Sequence, residues 1–153
     1  MNQYEQKLKK FIEYNEIKCR HLSFNKSCHS VKEAAETAGA DPDDFVKNIC
    51  MIDANGNLIV AIVKGEDRAS ITRIEKILNM KIRIANPEEI LQKTGYPCGG
   101  TPSFGYNGKF IIDSKVMEKE VVYSGGGSEN SLVKISTKEL QKANNGKITI
   151  IRK

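Results

Sequence analysis

Apolar positions recur at helical spacing in residues 3–14, where Tyr4, Leu8, Phe11 and Ile12 fall on one side and Lys7, Lys9 and Lys10 mainly on others. This predicts an amphipathic helix that packs over a larger body, because a helix so short is marginal alone. Ser30-Val31-Lys32-Glu33 reads as a capping box, with Gly39 placed to end the helix it starts. Asp41 and Pro42 then offer an N-cap and a first helical position, so residues 30–45 read as two short helices. From residue 46 the pattern changes to runs of Ile, Val and Met. Residues 46–53 and 58–63 are predicted to pair antiparallel around Asn55-Gly56.

Ser70 can cap a helix running to about Asn79, followed by the short strand KIRIA, and Asn86-Pro87-Glu88-Glu89 starts a helix that Gly95 ends. Beyond a loop at residues 95–105, the segments KFIID, VVYS, SLVKIS and KITII read as strands, and Ser136-Thr137-Lys138-Glu139 caps a last helix. This alternation predicts an α+β fold: a mixed curved sheet or small β-barrel surrounded by short helices. No repeat or linker divides the chain. Residues 1–153 are expected to form one domain, with residues 1–16 as an N-terminal packing helix.

The composition, 39% hydrophobic and 28% charged over 153 residues, is that of a globular chain rather than a disordered or membrane-embedded one. The polar N-terminus lacks the apolar run of a signal peptide, so a cytoplasmic location is expected. The net charge of +5 is carried by residues 1–30 and 81–153, whereas residues 31–80 are acidic on balance. The two basic regions either converge on an anionic partner or are separate solvated surfaces. Four cysteines without a CxxC pair, and two histidines, argue against a disulfide framework or a zinc site. Neither a metal nor a cofactor is expected.

The most unusual segment is Gly95-Tyr96-Pro97-Cys98-Gly99-Gly100-Thr101-Pro102-Ser103-Phe104-Gly105. Its glycines permit close backbone approach and its prolines limit its freedom, so it is either an amide-lined ligand site or a structural crossover. Ser124-Gly125-Gly126-Gly127-Ser128 offers a second backbone wall or a plain glycine turn. Neither cluster carries a P-loop or dinucleotide-binding pattern. Lys47 opens the strand at 46–53 with the parity of Ile49 and Met51; its ammonium either grips a substrate oxygen or marks a strand edge. His29, beside Cys28, and Cys98, inside the loop, are reactive side-chain types, although small-residue packing also accounts for Cys98. Asp113 ends the KFIID strand, where it either accepts from a ligand or starts a turn.

Taken in order, HSVKEAA, FVKN, IANPEEILQKTGYPCGGTPSFG, FIID and YSGGG resemble the YbaK/ProRS-associated domain family, the prolyl-tRNA synthetase editing-domain superfamily, over about residues 22–142. The resemblance implies a YbaK-like barrel-type sheet and hydrolysis of mischarged aminoacyl-tRNA by a free-standing protein acting in trans. Small amino acids such as alanine or cysteine are the implied substrates. It also implies mischarged aminoacyl-tRNA as a partner, with prolyl-tRNA synthetase as a further one, and neither membrane nor DNA. Lys47 matches the family's active-site lysine, and Gly99, Gly100 and Gly105 match its substrate-facing glycine loop. Lys47, Gly99 and Gly100 are thereby implied as catalytic; His29, Cys98, Thr101, Pro102, Gly105, Asp113 and Gly126 are implied as substrate-binding. Ser103 departs from the family pattern, which often has a second proline there. A noncatalytic aminoacyl-tRNA-binding module and a small-metabolite ester hydrolase are the alternative readings.

Overall fold

The Asn2 side chain accepts from the Glu5 amide and so caps the first helix, α1 (Gln3–Tyr14), whose Leu8 is fully buried. The structure, a computed structural model, describes residues 2–153; the first position of the domain assigned to residues 1–153 lies outside the described residues. After α1 come β1 (Cys19–Ser23), α2 (Val31–Ala38), β2 (Val46–Asp53), β3 (Leu58–Lys64), α3 (Ile71–Leu78), β4 (Ile82–Ile84) and α4 (Pro87–Thr94). The chain continues through β5 (Lys109–Asp113), β6 (Val121–Gly125), β7 (Ser131–Ser136), α5 (Thr137–Asn144) and β8 (Lys147–Thr149). Ser30, Ser70, Asn86 and Ser136 each accept a backbone amide at a helix start, and Asn86 and Glu89 complete a reciprocal capping box.

The strands form two sheets. One is antiparallel, ordered β1-β7-β6; the other is mixed, ordered β4-β2-β3-β5-β8, with β3, β5 and β8 parallel. Alternation along β3 explains its complete burial. Leu58, Val60 and Ile62 face the cluster between the two sheets, where Val122, Val133 and Ile135 also lie. Ile59, Ala61 and Val63 face the opposite way, toward Ile74 of α3. The mixed curved sheet is therefore present, but no barrel closes: among the described residues no strand ladder joins the two sheets, which meet through the isolated bridge between Phe45 and Tyr123, side-chain packing and side-chain hydrogen bonds.

Two local expectations are revised, and one strand, β1, is added. The second helix of residues 30–45 is only a single 3-10 turn, Pro42–Asp44, because Phe45 moves directly into extended backbone. The strand β1, CRHLS, carries no aliphatic run and is held by its pairing with β7 rather than by its own pattern. The last strand stops at Thr149, and the amides of Ile151 and Arg152 turn to the Asp113 carboxylate at 2.8 and 3.1 Å.

Candidate functional site

Alternation along β2 sends two polar neighbours to opposite faces. Asn48 faces the second sheet: its amide group donates to the Thr101 carbonyl at 3.0 Å and to Ser124 Oγ at 3.2 Å, and its carbonyl accepts from Ser103 Oγ at 2.7 Å. Ser103 and Ser124 hydroxyls also meet at 2.5 Å. These bonds pin the glycine-proline loop between the sheets and leave neither polar atom of the Asn48 side chain unpaired. Sequence reasoning did not single out Asn48. Its signal was a polar amide in a strand otherwise dominated by Ile, Val, Cys and Met, a residue type that needs partners when buried.

Beside this clamp lies a cavity of about 310 Å³ between the start of β2, the N-terminal end of α2, the loop and the adjoining ends of β6 and β7. Lys47, Cys98, Gly99 and Thr101 line it together, and His29 and Cys98 stand exposed on its rim. The edge of β2 next to Lys47 is open because β4 pairs only with Met51–Asp53. Lys47 is half-buried; burial first, and then the nearby Arg68 charge, holds its ammonium below the ordinary lysine range, with Asp67 acting the other way.

The loop is built from its own backbone. The Pro97 carbonyl accepts the Gly100 amide at 3.1 Å and the Thr101 hydroxyl at 3.0 Å. Gly99 has φ +92°, and a Cβ there would lie 2.6 Å from His29 Nδ1. At Gly100 the constraint is approach: a Cβ would lie 2.6 Å from the Ser128 amide nitrogen, and the Gly100 carbonyl accepts the Gly127 amide at 2.7 Å. The two glycine clusters therefore interlock. The Gly100 amide is spent within the turn, but among the described residues the amides of Gly99 and Thr101 donate to no protein acceptor.

The remaining expected site residues divide. His29 lines the cavity, with Nδ1 3.4 Å from a Glu129 oxygen. Gly126 does not: it is buried behind the wall formed by Gly125, its amide donating to Ser131 and its carbonyl accepting from His21 Nε2 at 2.7 Å. Pro102 is buried, its carbonyl taken by the Tyr106 hydroxyl at 2.6 Å. Gly105 packs beside Leu8 and Phe11 of α1, away from the cavity. Asp113 is also elsewhere; its fully buried carboxylate accepts from the amides of Ile151, Arg152 and Lys115 and from the Arg152 guanidinium at 2.9 Å. These four, and Gly100, are positioned as scaffold by the contacts they already make.

Two buried thiols, Cys28 in the cavity wall and Cys50 in the core beside it, are poor nucleophiles. Burial pushes Cys50 up to about 12, with the nearby Cys98 adding to the effect. Burial and the Glu33 charge raise Cys28 too, against a bond from Thr37. Among the described residues no group of three His, Cys, Asp or Glu side chains is arranged to hold a metal ion. The cavity can thus offer a cation, free backbone amides and a histidine to a ligand carrying a carbonyl or phosphate oxygen.

Comparison with known proteins gives one family whose sequence model, described as the aminoacyl-tRNA editing domain, matches residues 25–143. The uncharacterized protein YwhH of Bacillus subtilis (strain 168) is 26% identical over 129 residues, 83% of this chain and 82% of that protein. A proline--tRNA ligase of Thermotoga neapolitana is 24% identical over 98 residues, which span 63% of this chain but 17% of the ligase. Among solved structures, hypothetical protein APE2540 superposes with a TM-score of 0.89 at 28% identity, covering 96% of this chain and 99% of that one. A structure described as a "putative trans-editing enzyme for prolyl tRNA synthetase" superposes with a TM-score of 0.93 at 22% identity, covering 100% and 99%, a likeness of fold.

Proposed function

We propose, since this chain belongs to the aminoacyl-tRNA editing domain family, that it hydrolyses in trans the ester joining a wrong amino acid to the terminal adenosine of a tRNA. Small amino acids such as alanine or cysteine are the proposed substrates, and the cytoplasm the proposed site of action. The observation that carries the reading is that Lys47, Gly99 and Thr101 line one cavity, and that among the described residues the amides of Gly99 and Thr101 donate to no protein acceptor. The likeness of residues in this chain to part of a proline--tRNA ligase supports the prolyl-tRNA system as the setting.

In this mechanism the Lys47 ammonium anchors the terminal phosphate or the ester oxygens, supplying charge rather than a base. The Gly99 and Thr101 amides meet the carbonyl oxygen as negative charge develops on it. One such donor is worth about 3 kcal/mol when it binds the developing charge better than the ground-state carbonyl. Water attacks, oriented by a ribose hydroxyl of the substrate, and the ester bond breaks to free amino acid and tRNA. The pinning of the loop by Asn48, Ser103 and Ser124 keeps the amides fixed, which is what electrostatic stabilisation of this kind requires.

The test is a panel of correctly and incorrectly charged tRNAs incubated with wild type and Lys47→Ala. Release of the amino acid from a mischarged tRNA is expected, with a fall of about 100-fold or more in the variant and unchanged circular dichroism. Turnover that survives in Lys47→Ala removes the lysine from the mechanism. Wild-type binding without release above the spontaneous rate would make the protein a noncatalytic binding module.

A further inference from the structure

The register of the smaller sheet places four side chains in one row. Arg20 of β1 is opposite Lys134 of β7, Lys134 is opposite Tyr123 of β6, and Tyr123 is bridged to Phe45. Directly opposed residues share a face, so the row runs across the sheet on the side away from the core, the side that Val122, Val133 and Ile135 occupy being the other. Phe45 and Tyr123, stacked at 4.9 Å between ring centroids, form part of the cavity wall, so the row starts inside the candidate site and leads out of it.

The cations of this row have no carboxylate partner. Among the described residues neither Arg20 nor Lys134 makes an ion pair or a side-chain hydrogen bond, and the Lys134 ammonium lies 5.7 Å from the Tyr123 ring centroid. Glu139, near the start of β1, is engaged by the Lys18 amide at 2.9 Å. The two basic regions of the sequence thus do converge, through the pairing of β1 with β7. Unpaired cations at strand spacing beyond an aromatic ring fit a chain that alternates flat rings with negative charges.

We infer that the Tyr123–Lys134–Arg20 row is the track for a single-stranded RNA end leaving the cavity, an inference that rests on the deacylase reading for its direction. A base lies on Tyr123, while Lys134 and Arg20 neutralise successive backbone phosphates. The long, partly exposed cation–π contact is weaker than base–aromatic stacking, so an arriving base displaces the Lys134 ammonium toward the phosphate it then holds. Such contacts carry affinity and register but do not distinguish the attached amino acid.

Fluorescence anisotropy of a labelled short single-stranded RNA, titrated at several salt concentrations, tests the track apart from turnover. Arg20→Ala and Lys134→Ala, both surface changes, are each expected to weaken binding and to reduce the slope of log affinity against log salt by about 0.7. Tyr123→Leu is expected to weaken binding about tenfold with little change of slope, and Tyr123→Phe to retain it. Affinity and slope unchanged in both cation variants would overturn the track, as would an oligoglutamate peptide that binds equally well and responds to the same substitutions, which would mark an acidic protein as the partner. Deacylation by wild type together with unchanged RNA binding in the variants removes the track and leaves the enzyme reading. The expected binding pattern without amino-acid release does the reverse.

Discussion

Asp113 shows how a single carboxylate can be read in two ways. Burial pushes its carboxyl up, but the amides of Ile151, Arg152 and Lys115 and the Arg152 guanidinium outweigh that and hold it below its ordinary 3.8. An anion with four donors has little left to offer a substrate. Asp113→Asn is expected to lower stability by about 2 kcal/mol, read as a lower urea midpoint, while kcat for any ester substrate stays near wild type. Gly100→Ala should behave differently. Its added carbon meets the Ser128 backbone at 2.6 Å, and the atoms it meets are not those of a flexible side chain. Forcing the two glycine clusters apart is expected to cost on the order of 1–3 kcal/mol and also to reduce activity, because the displaced loop carries the Gly99 and Thr101 amides. A Gly100→Ala protein with wild-type stability would show that the interlock yields easily.

Among the elements, α1 is the one whose predicted role gains most from the coordinates. Its Glu5 is buried and accepts from the hydroxyls of Ser23 and Ser128, the latter at 2.8 Å, so the helix holds the turn that in turn holds Gly100. Leu8→Ala is expected to cost about 2–5 kcal/mol by chemical denaturation, since the side chain is fully buried among core residues. Glu5→Ala should cost about 1–3 kcal/mol by leaving those hydroxyls short of an acceptor, and a loss of activity beyond the loss of folded protein would show that the helix positions the site. Most elements were legible because local signals agreed: serine and asparagine caps, Asn55-Gly56, and aliphatic runs in the strands. β1 was not, because His21 and Arg20 interrupt any alternation and its partner lies more than a hundred residues away in the chain. The site was legible in part for the same reason. Lys47 and Gly99 announce themselves by type and context, whereas Asn48 acquires its function only from the loop and sheet that meet it, and Pro102, Gly105 and Asp113 look site-like in sequence while their neighbours in space claim them.

At the scale of the molecule, charged pairs add ties between segments to those the hydrophobic clusters make. Asp43 in the 3-10 turn meets buried Lys64 at the end of β3 at 2.5 Å, and Lys119 just before β6 at 2.6 Å. Glu89 of α4 makes a two-pronged pair with Arg83 of β4 at 2.8 and 2.6 Å, and Asp113 ties β5 to the C-terminal residues. Bonds from Lys119 and then Lys64 hold the Asp43 carboxyl at about 2, and the Arg83 bond holds Glu89 at about 2. Each of these folded-state values is below the ordinary 3.8 or 4.5, so the folded form binds protons less readily than the unfolded chain. Their stabilisation is therefore complete above the ordinary carboxylate range and is lost as pH falls toward 2. Asp43 and Glu89 sit near the surface, where solvent screening keeps each contribution small, and the lowered carboxyl of buried Asp113 adds to the dependence in the same direction. Urea midpoints measured across a pH series are expected to form a plateau from neutrality down to about 5 and then to decline, with the decline shallower in Asp113→Asn. A decline already under way near pH 7 would show that groups other than Asp43, Glu89 and Asp113 carry the acid sensitivity.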